Sequence, residues 1–136
     1  MSLDDDTLWR EFHAATLPKE LWTHAAHVRM AWLHLRRHAL DEAHLLLRAG
    51  IIKLNGSHGL VESATHGYHE TMTCVWLALV AAALQQSPAL TDSRDFLATH
   101  AAHLAKDAPL RYYSRERLFS IAARARFVSP DLAPLP

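Results

Sequence analysis

The sequence predicts an all-α fold, and three observations carry that reading. Punctuation is sparse, with four Gly and six Pro in 136 residues. The stretches between them read at helical period. Alternating runs of β-branched residues, the mark of half-buried strands, are nearly absent. The length suits one domain built as a compact bundle of about six helices.

Asp6 or Thr7 caps a first helix that runs to about Ala15. Leu17-Pro18 resets the chain, since proline suits a helix start, and a second helix spans about Lys19 to His38. Asp41 caps a third to about Leu54, with Asn55-Gly56 as the left-handed stop. Gly50, inside that helix, costs about 1 kcal/mol against Ala and marks a close-packing position. Residues 57–67 form the longest irregular stretch. The fourth helix, about 68–86, is uncharged and apolar on every side from Met72 to Leu84, so it belongs at the centre. Asp92 or Ser93 caps a fifth to about Lys106, and Ser114 a sixth to about Phe127. The Pro-rich segment 130–136 is read as extended on the surface.

Composition removes several function classes. Half the residues are apolar, and 14 Lys+Arg balance 14 Asp+Glu, so the basic footprint of a nucleic-acid binder is missing. The run from Met72 to Leu84 is well short of the ~20 residues that span a bilayer. A single Cys excludes an internal disulfide and Cys-based zinc or iron–sulfur knuckles, and fits a reducing compartment. The acidic start, Met1 to Asp6, is the reverse of a signal-peptide n-region, so the expected location is cytoplasmic. No nucleotide-binding glycine motif, Gly-x-Ser-x-Gly elbow or His-Glu-x-x-His is found.

The abnormal count is histidine, at 11. Three His-x-x-His spacings occur: His24/His27, His66/His69 and His100/His103. Residues three apart share a helix face, so each pair has ligand spacing, although most helical histidines are solvated or simply hydrogen-bonded. Context separates them. On the second helix Leu21, Ala25, Val28, Trp32 and Leu35 form one stripe, with His24, His27, Ala31, His34 and His38 beside it. His24 lies nearest the apolar face, whereas His34 and His38 read as solvent-facing. His69 and Glu70 enter the fourth helix along apolar rows, where an unpartnered carboxylate is costly. The plainer alternative for Glu70 is a carboxylate in the first turn that suits the helix dipole. His100 and His103 have charged neighbours and read as surface residues, not ligands. His13, His44 and His58 have no partner at a telling distance, and Cys74 reads as an inert core thiol.

Trp22-Thr23-His24-Ala25-Ala26-His27 with Gly67-Tyr68-His69-Glu70-Thr71 resembles a set of small, uncharacterised bacterial helical proteins, as do Tyr112 to Leu118 and Pro130-Asp131-Leu132. The resemblance spans most of the chain and carries an outline without an activity, cofactor or substrate. A looser likeness to DinB-like bundles, which bind a divalent metal through three histidines on separate helices, is one of architecture only.

The expectation from these residues is a small metal-dependent enzyme acting on a small, anionic molecule. His24, His27 and His69 would hold one divalent ion, zinc first, with iron, manganese or nickel also suited. Glu70 would be the base or a fourth ligand, with Tyr68 beside it. Tyr113, Arg115 and Arg117 would bind the substrate. The alternatives are a helical interaction or oligomerisation module, with a homodimer left open, and a metal or haem binder without chemistry.

Overall fold

The computed structural model describes residues 2–136, so Met1, the first residue of the acidic start, lies outside the described residues. It is all-α, with seven α-helices, two short 3-10 turns and no strand among the described residues. The helices are α1 (Asp5–His13), α2 (His24–Arg37), α3 (Leu40–Ser57), α4 (Glu70–Gln86), α5 (Ser93–Thr99), α6 (Arg115–Leu118) and α7 (Ile121–Ala125). As the apolar run implies, α4 is central: it packs on α2, α3 and α7 and buries Val75, Leu77, Leu79 and Val80. Around it Phe12, Val28, Trp32, Phe96, Tyr113 and Leu118 complete one core.

Capping side chains explain most departures from the expected boundaries. Asp4, not Asp6 or Thr7, caps α1, accepting from the Thr7 N–H at 2.8 Å. Thr23 caps α2 through the Ala26 N–H, so the helix starts at His24 and residues 19–21 form a separate 3-10 turn. Helix α3 runs through Asn55-Gly56 to Ser57, and Gly59, at φ +80°, takes the left-handed turn instead. Its interior Gly50 is the close-packing position the sequence marks: a Cβ there would fall 2.3 Å from the ring of Phe12. The expected fifth helix stops at Thr99, after which His100 turns inward. The expected sixth helix is two, because Ser120 leaves helical geometry and caps α7 through the Ala123 N–H. The 130–136 segment is tied down: Asp131 accepts from the Ser114 N–H at 2.8 Å and from its hydroxyl at 2.6 Å.

Two histidines read as solvent-facing or isolated pair with each other, His13 half-buried and His34 buried. His34 is fully buried, and its Nδ1–H donates to the Met30 carbonyl at 2.7 Å. Its Nε2 therefore carries a lone pair, which accepts from Nε2–H of His13 at 3.1 Å. The Trp9 and Phe12 rings enclose the pair. His100 is likewise buried, not a surface residue, and its Nε2 meets the Ser87 hydroxyl at 2.9 Å. His103 is exposed, as expected. No helix among the described residues is long and apolar enough to cross a membrane.

Candidate metal centre

Adjacent helices α3 and α4 each present two functional side chains one turn apart. On α3 these are His44 and Arg48; on α4 they are Glu70, its first residue, and Cys74. Tyr68 joins them from the end of the preceding loop. His44 Nε2 lies 2.9 Å from Glu70 Oε1 and 3.7 Å from Cys74 Sγ. The Tyr68 hydroxyl donates to the same Oε1 at 2.6 Å, and Arg48 Nη1 approaches Oε2 at 3.4 Å. His44, Glu70 and Cys74 are half-buried, with all three potential ligand atoms within 4.8 Å of one another. Among the described residues no other group of three or more His, Cys, Asp or Glu side chains meets that spacing.

The electrostatics follow from burial and neighbours. Burial pushes Glu70 upward, but hydrogen bonds from Tyr68 and His44 and the charge of Arg48 outweigh it, holding the carboxyl below its usual range. Tyr68 is shifted well above the ordinary phenol, first by burial and then by donating to Glu70, so it keeps its proton and acts as a donor. Burial, with the charge of Glu70, raises the Cys74 thiol to about 11.

These shifts and distances discriminate between chemistries. A Cys–His–Glu nucleophile needs the two imidazole nitrogens to face different partners, one the thiol and one the carboxylate. Here His44 Nε2 faces both, and the thiol is driven away from its nucleophilic form. Convergence on one nitrogen is instead what ligands around a shared ion require. Tetrahedral zinc would hold N, O and S donors about 3.3–3.5 Å apart. The observed separations of 2.9 and 3.7 Å need only small side-chain adjustments to match. The residues present therefore fit a divalent ion and can chelate one.

The expected trio of His24, His27 and His69 is corrected. His24 Nε2–H donates to the Leu104 carbonyl at 2.8 Å. His27 Nδ1–H donates to the Thr23 carbonyl at 2.6 Å, and its ring stacks on Trp22 at 3.7 Å. Burial lowers its pKa to about 4. His69 is the N-cap of α4: Nδ1 accepts from the Met72 N–H at 3.0 Å and Nε2–H donates to the Leu118 carbonyl at 2.9 Å. Both nitrogens are spent, so His69 has no lone pair left for an ion. The three rings hold backbone at separate places.

Two of the three expected substrate residues have other partners. Tyr113 is fully buried and donates to the Val128 carbonyl at 2.6 Å. Arg117 donates to the Ser129 carbonyl and hydroxyl, pinning the C-terminal segment. Arg115 is exposed on α6. Of the residues singled out by sequence, Glu70 and Tyr68 are in the cluster, and Glu70 also occupies the first-turn position of the plainer reading. His44, Arg48 and Cys74 were missed as site residues. Their signal was His44/Arg48 and Glu70/Cys74, two polar pairs at i,i+4 on neighbouring helices. Comparison with family models, curated proteins and solved structures gives no match, so the site is read from its own geometry.

Proposed function

We propose that this chain is a small metal-dependent enzyme acting on a small anionic molecule, its divalent ion held by His44, Glu70 and Cys74. The observation that carries this reading is the meeting of one nitrogen, one carboxylate and one sulfur donor within 4.8 Å, half-buried between α3 and α4. A thiolate in the set favours zinc, with iron second, over harder ions such as manganese. Three protein donors leave a position open, as catalytic sites do and structural sites do not. A bound zinc supplies Lewis acidity and a water acidified towards neutrality. Arg48, whose side chain is 50% exposed, offers a guanidinium to an anion beside the cluster. Tyr68 holds a proton at its hydroxyl, ready to donate to a developing negative charge.

The test is cobalt(II) loading of the full chain. One equivalent should bind, with a near-ultraviolet charge-transfer band from the thiolate. Cys74→Ser should abolish the band and His44→Ala should release the ion, whereas His69→Ala should leave the stoichiometry unchanged. Inorganic phosphate should perturb the visible spectrum of the wild type and much less that of Arg48→Ala. A wild-type chain that retains no metal overturns the proposal, as does retention indifferent to Cys74→Ser and His44→Ala. Bound cobalt whose spectrum ignores phosphate would leave a metal carrier and remove the enzyme reading.

A further inference from the structure

Helix α3 is apolar on two faces, and the protein covers one. Ala43, Leu47 and Leu54 point into the core. On the opposite side, at about 100° per residue, Leu45, Ala49, Ile52 and Gly56 fall in a single stripe. All four are exposed, Leu45 at 66%, and Leu46, Leu60 and Val61 add apolar surface nearby, Val61 at 80%. The spacing i, i+4, i+7, i+11 is that of a helix–helix seam. One flank of the stripe carries Glu42 towards the N-terminal end and Lys53 towards the C-terminal end.

We propose that this face of α3 binds α3 of a second copy, antiparallel, about a two-fold axis passing near Ala49. The charge order chooses the occupant. Two-fold symmetry about an axis across the seam brings like flanks together in reversed direction. Glu42 of each copy then lies beside Lys53 of the other, while a parallel pairing, with its axis along the seam, puts the two Glu42/Lys53 flanks on opposite sides and leaves these charges unmatched. Along the seam Leu45 meets Ile52 of the second copy on either side of a central Ala49–Ala49 contact, where two small side chains let the helices approach closely. The reversed helix dipoles also favour this orientation. An 18-residue helix offers a seam about 27 Å long, which puts the interface at the small end of specific ones and its affinity in the micromolar range. None of these residues belongs to the metal centre, so the two proposals fail or stand separately.

Sedimentation equilibrium of the full chain should show a reversible monomer–dimer equilibrium. Leu45→Glu with Ile52→Glu should raise the dissociation constant at least tenfold without loss of helical circular dichroism, since both sites are exposed. Glu42→Lys alone and Lys53→Glu alone should each weaken the dimer several-fold, and the two together should restore it. A general greasy patch would not show that reversal. Ala49→Cys, at the axis, should cross-link to a covalent dimer under mild oxidation, whereas Ala98→Cys on exposed α5 should not. A monomer at several hundred micromolar would overturn the proposal. So would a dimer indifferent to Leu45→Glu/Ile52→Glu, or one that the paired charge exchange fails to rescue.

Discussion

Acidification should destabilise the fold through His34. Burial lowers the His34 pKa from 6.5 to about 4, partly opposed by its bond to the Met30 carbonyl. The ring is fully buried and its proton already committed, so charging it would turn an acceptor into a second donor facing the Nε2–H of His13. Because the folded pKa lies below the unfolded one, the unfolded chain binds the extra proton first. Stability is therefore whole above pH 6.5 and declines as pH falls towards 4. Linkage gives a loss of about 2 kcal/mol at pH 5 and about 3 kcal/mol at pH 4 from this ring alone.

Burial also lowers His13, His27, His69 and His100, so the assay compares two proteins. Urea unfolding should be followed at pH 7.5, 6 and 5 for the wild type and His34→Asn. The variant should be less stable at pH 7.5, having lost a packed ring, but its stability should fall less on acidification. The substitution removes the His34 share, so the wild type should lose about 2 kcal/mol more than His34→Asn between pH 7.5 and 5. Equal losses in the two proteins would refute the neutral, buried state of His34.

Gly50→Ala should gain about 1 kcal/mol of helix propensity and lose more to overpacking, since its Cβ would meet Phe12 at 2.3 Å. A net loss of about 1–2 kcal/mol by thermal or urea unfolding is expected, and Phe12→Leu in the same chain should recover part of it. Trp32 is fully buried with its indole N–H unpartnered among the described residues. Trp32→Phe removes that unsatisfied donor while opening a modest cavity, so it should cost less than about 1 kcal/mol, where truncating a buried Trp to Ala costs about 3–5.

Local sequence determined the helical class, the burial of α4 and the need for a small residue at Gly50. These depend on periodicity and side-chain volume, which are written within a turn or two of chain. It also singled out Glu70 and Tyr68, because a carboxylate at the head of a wholly apolar helix must find a partner. It did not say which partner. Helix phase along one element is local, but the rotation and height of α3 against α4 are set by how the whole core packs, and that choice brought His44 to Glu70 across 26 residues. The same packing withdrew the conspicuous histidines. An imidazole N–H takes whatever acceptor the fold presents, and backbone carbonyls left free by broken or ended helices are numerous. His24 met Leu104, 80 residues away, and His69 met Leu118, 49 residues away, at the turns that close the C-terminal part of the chain. Spacing marked those rings as ligands; only the tertiary structure shows that Nε2 of each already holds a backbone carbonyl, because those acceptors are distant in sequence and carry no side-chain signature.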